Sequence, residues 1–306
     1  MKKIFIVAVA AMAFASCSQN EFENTSVGNR EISFSNLNDK VTLRSANDAS
    51  DNYQVYADWS GSSTEWFINA AINGTTNQAP TTYFWPASGT VDFYSWAPST
   101  VAATGAYPAL SIAYTVPAAA NQDFTVAAPQ LAKSSGTVAF EFAHMLSKVS
   151  VTASLHQDLL DAGYVLTTTG LTADLSVQST GGTVDPKTTP AAWTSPNATA
   201  ATYTGAASYM IMPQSSVGCK VQVKSGITIT KNGTTIYTGD LSEYAIVSGN
   251  VTGDKFAEGK HYMLNLTIGD TSTGGGGEDI FNIITFSANV ADWDTPAGTD
   301  TPLVQP

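Results

Sequence analysis

The chain has 306 residues, of which 43% are hydrophobic and only 12% charged, with 24 glycines; that is about half the charge usual for a globular protein. Its 25 acidic against 13 basic side chains leave a net charge of −12, a sign that repels phosphate backbones and excludes nucleic acid as a partner. The Thr, Ser, Ala and Gly that replace charge suit short strands and turns, and argue against long salt-bridged helices.

The N-terminus fixes the expected compartment. Lys2 and Lys3 precede an apolar run from Ile4 to Phe14 and then small residues, so 1–16 read as a signal peptide, too short to stay in a bilayer as a permanent span. Phe14-Ala15-Ser16-Cys17 is similar to a bacterial lipobox, with Phe14 where Leu is more usual. Cys17 is therefore expected to become the acylated first residue of a lipoprotein precursor held at the outer membrane, each buried methylene contributing about 0.8 kcal/mol to anchoring. With Cys17 acylated, Cys219 is the one remaining thiol and no intramolecular disulfide can form. Cys219 lies in the strand-like stretch 217–223 and reads as a small buried apolar residue.

Residues 18–29 are polar and form a tether. In Glu31-Ile32-Ser33-Phe34-Ser35, and again in Val41-Thr42-Leu43-Arg44, polar and apolar residues alternate with the period of a half-buried strand. Between that second piece and Tyr53 the chain is polar once more, which places Arg44 at an accessible, trypsin-type cleavage position.

Further strands are expected over 53–59, 66–72, 81–85, 90–97, 111–116, 138–142 and 148–155, then 171–178, 201–212, 220–223, 226–231, 234–238, 261–268 and 280–291. Asn73-Gly74, Ser88-Gly89 and Ser135-Gly136 mark turns, and Asn232-Gly233 marks a tight hairpin. Only 156–162, ending at Gly163, suggests a helical turn. Glycines 274–277 are followed by Glu278 and Asp279 rather than by a helix, Lys and Ser, so they form a connector and not a phosphate loop. Two β-sandwiches in series account for this pattern: a first domain over 45–158 and a second over 159–306, with a C-terminal segment 278–306.

No cofactor or metal is expected. His144, His156 and His261 lack metal-type spacing, there is no Gly-x-Ser-x-Gly elbow, and the acid pairs Asp158/Asp161 and Asp292/Asp294 read as solvated surface, so the chain is not expected to be an enzyme. Aromatic residues are its sharpest side-chain feature. In 90–97, Tyr94 and Trp96 share one face and Phe93 the other, so a second layer is expected to cover them.

The lipobox at Cys17, Glu31-Ile32-Ser33-Phe34, Leu43-Arg44-Ser45 and Phe93-Tyr94-Ser95-Trp96-Ala97-Pro98 are followed by the run 122–127, by 140–149 and by Val290-Ala291-Asp292-Trp293. In that order the chain resembles the fimbrillin-like (Mfa-like) family of Bacteroidales surface lipoproteins, the subunits of type V pili. The resemblance implies an all-β chain of two tandem transthyretin-like β-sandwich domains behind a lipoprotein signal peptide. It also implies trimming by an arginine-directed protease, at Arg44 or Arg30, and assembly with other fimbrial subunits by donor-strand exchange at the cell surface. Removal of 17–44 would take away the strand pieces carrying Ile32, Phe34, Val41 and Leu43 and leave a groove.

The donor candidate is the segment with Ile280, Ile283, Thr285 and Trp293, which reads equally as the last strand of the second sandwich. Stalk, tip and accessory roles all fit. The alternative function is a monomeric surface adhesin that binds host proteins, or host or dietary glycans, through exposed aromatics such as Trp59, Trp66 and Trp96.

Overall fold

The computed structural model describes residues 31–37, 52–62, 64–119, 121–194, 196–269, 281 and 284–293. The first half contributes β1 (Ser33–Asn36), β2 (Tyr53–Trp59), β3 (Ile68–Ile72), β4 (Val91–Ala97), β5 (Ala103–Thr104), β6 (Ser111–Thr115), β7 (Thr125–Ala127), β8 (Gln130–Lys133), β9 (Thr137–Phe140) and β10 (Phe142–His144). The second half contributes β11 (Ser147–Leu155), α1 (Gln157–Asp161), β12 (Tyr164–Val177), β13 (Gly181–Val184), β14 (Ala201–Ala206), β15 (Ser208–Ile211), β16 (Gln214–Ser215), β17 (Lys220–Lys231), β18 (Thr234–Thr238), β19 (Tyr244–Ala245), β20 (Lys255–Phe256), β21 (Lys260–Ile268) and β22 (Ile284–Asp292). The fold is all-β, as the composition and periodicity indicate.

In the first half, one sheet runs β10-β7-β4-β2-β3, with β8 added beside β4. Alternation decides what each face buries. Tyr53, Val55 and Ala57 of β2, Ile68 and Ile72 of β3, and Val91 and Phe93 of β4 form one core with β1, β9 and Trp85. Tyr94 and Trp96 of β4 point the other way, into a larger core shared with β6 and the second-half strands. β4 is thus covered on both faces, which explains its nearly unbroken aromatic run. Tyr56 stacks on Trp96 at 5.2 Å, and the Trp96 indole N–H donates to the Val101 carbonyl at 2.8 Å.

The second half is built on β15-β11-β21-β22 and on β14-β12-β17-β18, with β19 on the flank of β17. β11, which precedes the expected domain boundary at residue 158, is an inner strand of the first of these sheets. β13 reaches back to pair antiparallel with β6 of the first half. The hairpin expected at Asn232-Gly233 joins β17 to β18, and both residues adopt positive φ, 51° and 78°. The strands expected at 220–223 and 226–231 are one, β17, running through Gly226 at φ +83°, where a Cβ would lie 2.6 Å from Leu171 Cα. The register shift beside it is a bulge that a side chain would obstruct.

Three other expected strands differ. The one at 201–212 divides at Ala207 into β14 and β15, which join different sheets. The one at 81–85 is reduced to a single antiparallel bridge, Glu31 to Phe84, because its one partner passes it briefly and Pro86 offers no N–H to continue a ladder. The one at 138–142 breaks at Glu141 into β9 and β10, which join different sheets. The helical turn is α1, capped by the His156 ring accepting from the Asp158 backbone N–H.

Candidate functional site

β1 is the element on which a function can be built. It runs parallel to β9, its one ladder partner among the described residues, with Ser33 opposite Thr137, Phe34 opposite Val138 and Ser35 opposite Ala139. On its other side the Ile32 N–H donates to the Tyr83 carbonyl at 2.8 Å. The alternation read from Glu31-Ile32-Ser33-Phe34-Ser35 has a physical outcome. Ile32 and Phe34 are 4% and 6% exposed in the first-half core, whereas Glu31 and Ser33 face solvent.

The Phe34 ring meets Phe93 edge-on at 6.2 Å and lies near-parallel to Phe140 at 6.4 Å. Trp85, in the same core, is 1% exposed and packs edge-on to Phe93. The Ser33 and Thr137 hydroxyls are hydrogen-bonded at 3.0 Å. Two buried side chains of this size stabilise by roughly 3–6 kcal/mol in total, so β1 is held chiefly by Ile32 and Phe34. Taking it out would expose Phe93, Phe140 and the backbone of β9, a groove with apolar walls and unpaired ladder groups.

Of the other positions expected to be removable, Val41 and Leu43 lie outside the described residues, as do Arg44 and Cys17, the residue expected to be lipidated. The sequence nonetheless holds a relation that bears on cleavage: Arg30 and Arg44 are its two arginines, and they stand on either side of β1.

The C-terminal donor candidates separate. Ile280 and Ile283 lie outside the described residues. Thr285 belongs to β22, which pairs antiparallel with β21 over nine residues, from Lys260 opposite Asp292 to Ile268 opposite Ile284, with Thr285 opposite Thr267. Among the described residues β22 is the edge of its sheet, and it has no fully buried residue. Trp293, just beyond it, stacks on His144 of β10, and its N–H donates to the Gly259 carbonyl at 3.1 Å. His144 is itself buried, with Nδ1 2.5 Å from Asp123 Oδ2. The sequence singled out both His144 and Trp293, but nothing in their spacing joins them.

The aromatics of the alternative function also separate. Trp96 is 0% exposed and offers no outward face for a ligand. Trp66 is half-buried among Tyr56, Tyr94 and Tyr107, and the Lys187 ammonium sits 5.3 Å from the ring centres of both Trp66 and Tyr94. Burial, aided by the carboxylates of Asp92, Asp58 and Asp185, pushes the Tyr94 hydroxyl up to about 12. Trp59 is half-buried, with its indole N–H donating to the Ser88 carbonyl at 3.0 Å.

Cys219 is fully buried, and burial pushes its thiol up to about 11, the state of an inert core residue. Among the described residues no group of three or more His, Cys, Asp and Glu could hold a metal ion, and no helix is long and apolar enough to cross a membrane.

Comparison with known proteins bears on this arrangement. No curated protein matches the chain. Among solved structures, a Bacteroides uniformis protein named for cell adhesion is similar with a TM-score of 0.55 at 19% identity, covering 86% of this chain and 99% of that one. A fimbrial protein from Bacteroides vulgatus is similar with the same TM-score, 0.55, at 14% identity, covering 87% of this chain and 100% of that one. At such identities the likeness is one of fold. The fimbrillin-like family model matches residues 40–293, which span the first-half sheet, the β9 wall of the groove and β22: the chain belongs to the fimbrillin-like family.

Proposed function

We propose that the protein is a structural subunit of a surface fimbria, exported as a lipoprotein acylated at Cys17, trimmed by an arginine-directed protease, and assembled when a strand of another subunit enters the slot that β1 vacates. The observation that carries this reading is the placement of β1. It is a short N-terminal strand, bound through two side chains, Ile32 and Phe34, to a core made otherwise of residues from Tyr53 onward.

The two arginines give the trimming step a geometry. A cut after Arg30 leaves β1 attached to the body of the protein, whereas a cut after Arg44 severs it. Once severed, β1 is a short peptide held non-covalently and free to exchange. A strand from a second molecule then replaces its backbone hydrogen bonds and fills its side-chain pockets, the β-augmentation mode of recognition.

The membership in the fimbrillin-like family and the fold shared with a fimbrial protein and one named for cell adhesion support a fimbrial or adhesive role. A cell-surface location follows from that role and from the lipid anchor. The acidity of the chain persists through maturation, because loss of Lys2 and Lys3 with the leader takes the net charge from −12 to −14. Like charge keeps subunits apart until a specific pairing wins.

The test is digestion of the purified chain with an arginine-specific protease, followed by size-exclusion chromatography. Cleavage after Arg44 is expected to convert monomer to ladders or fibres. A chain that is cut completely at Arg44 and remains monomeric would refute the assembly step.

A further inference from the structure

On the face of β4 that carries Tyr94, two carboxylates are set against each other. Asp58 of β2 lies directly opposite Asp92 of β4, two residues along from the facing pair Tyr56 and Tyr94, and like charges so placed destabilise a strand pair. Asp185, just after β13, brings a third carboxylate whose field, with those of Asp58 and Asp92, reaches the Tyr94 hydroxyl. Each acid gives one oxygen to the fold: Asp58 Oδ1 accepts from the Tyr107 hydroxyl at 2.7 Å, Asp92 Oδ1 from the Ala132 N–H at 2.7 Å, and Asp185 Oδ1 from the Lys187 N–H at 2.8 Å. Among the described residues none of the three makes an ion pair or a further side-chain hydrogen bond. Tyr94 itself is 5% exposed, and its hydroxyl, which points at these acids, makes no hydrogen bond among the described residues. A buried polar group without a partner is costly.

Aromatic rings wall the same place. Trp66 meets Tyr56, Tyr94 and Tyr107 edge-on at 5.2, 6.4 and 5.1 Å. The Lys187 ammonium, 5.3 Å from the ring centres of Trp66 and Tyr94, donates to the Pro108 carbonyl at 2.7 Å and pairs with none of the three acids. The walls thus already hold a cation, yet one ammonium leaves two of three negative charges uncompensated. A metal ion does not suit the spread of these acids, since no group of three such side chains among the described residues could hold one. A guanidinium does: it is planar, stacks on an indole face, and carries five N–H donors in a fork that spans separate carboxylate oxygens.

We propose that Trp66, Tyr94, Asp58, Asp92 and Asp185 form a binding site for an arginine side chain of a different protein, which takes the place of the Lys187 ammonium over Trp66. The arginine must come from elsewhere once trimming has occurred, because the chain after Arg44 contains none. The net charge of −12 favours the approach of a basic segment. The site lies on the opposite face of β4 from Phe93 and the β1 slot, so this inference goes beyond strand exchange and does not depend on it. It gives the subunit a contact for exposed, arginine-bearing segments of a partner protein.

The test titrates the full, uncut chain, labelled with ¹⁵N-tryptophan, with the peptide acetyl-Gly-Arg-Gly-amide at low salt. The Trp66 indole N–H resonance, identified by its loss in Trp66→Phe, should shift saturably. The lysine peptide should bind roughly threefold more weakly or worse, and the citrulline peptide, which keeps the shape of arginine without its charge, should not bind. Asp58→Asn with Asp92→Asn keeps the acceptors for Tyr107 and Ala132 and removes the facing charges. It should weaken binding about tenfold or more while the thermal midpoint holds or rises, a combination that a merely structural role for these acids would not produce. Lys187→Met, which removes the competing ammonium, should tighten binding. No saturable shift, equal binding of the citrulline peptide, or unchanged binding by the double variant would overturn the site. Equal binding of the lysine peptide would overturn the choice of arginine, and weaker binding by Lys187→Met would overturn the displacement. Assembly after arginine-specific cutting is read separately by size-exclusion chromatography, so its failure is distinguishable from failure here.

Discussion

The indole of Trp293 lies flat on the imidazole of His144, ring centres 4.2 Å apart and planes within 1° of parallel. Through this stack the C-terminal end of β22 is tied to β10, in the first half of the chain, while Asp123 Oδ2 lies 2.5 Å from the imidazole Nδ1. The C-terminal strand β22 is therefore fastened where it ends, by Trp293 and by the ion pair of Lys260 with Asp292.

Trp293→Ala should loosen that fastening. A stacked aromatic pair contributes about 0.5–1.5 kcal/mol beyond its buried area, so the β22 amides are expected to exchange hydrogen about two- to tenfold faster, with little change in β2 to β4. If β22 is the donor, the same variant assembles faster after cleavage. Hydrogen exchange read by mass spectrometry checks the first effect and light scattering the second.

Phe34→Ala removes a ring from between Phe93 and Phe140. A substitution of this kind in a core costs about 3–5 kcal/mol. The loss should appear as a lowered thermal midpoint in the uncut chain and as faster escape of the severed β1 peptide after cleavage at Arg44. Ser35→Ala, on the outer face of the same strand, should leave both nearly unchanged. Differential scanning calorimetry, together with mass spectrometry of the retained peptide, distinguishes the two variants.

The buried Tyr94 makes the fold sensitive to alkali. Its folded pKa, about 12, lies above the ordinary value of 10.0, so above pH 10 the unfolded chain gives up this proton while the folded chain keeps it. The stabilisation is complete below pH 10 and is lost as pH rises toward 12. Thermal midpoints should fall over that window, and Tyr94→Phe should flatten the fall.

Trp96→Ala should unfold or severely destabilise the protein, by about 3–5 kcal/mol, because the indole is fully enclosed and stacked on Tyr56. A loss of glycan binding in that variant without a loss of stability would contradict the position of Trp96 in the core. Trp59 and Trp66 are the side chains at which an adhesive alternative can be examined by glycan array.

Much of this was legible in the sequence where period and turn chemistry carried the signal. Ile32 and Phe34 point inward as their alternation requires, and Asn232-Gly233 makes the tight turn its positive φ values allow. The double burial of β4 was legible as a question, since both of its faces are aromatic and something had to cover each. What the sequence left open is long-range pairing. Nothing local indicates that β1 lies parallel to β9, about a hundred residues on, because parallel partners are chosen by the whole core and not by a connecting turn. The unit 138–142 reads as one strand because its apolar spacing is regular, yet tertiary packing divides it at Glu141. The stack of His144 on Trp293 joins a mid-chain residue to one 149 positions later, a pairing that no local pattern marks.

The most direct measurement of the central claim locks β1 in place. Ser33 and Thr137 face one another across the β1–β9 pair with hydroxyls 3.0 Å apart, so Ser33→Cys with Thr137→Cys, in a chain carrying Cys17→Ser, should form a disulfide that retains the strand after the backbone is cut at Arg44. The oxidised, cut protein is predicted to stay monomeric and to assemble when reductant is added. Assembly of the oxidised, cut protein at the rate of the unlocked chain would show that β1 does not vacate the slot, and would contradict the account.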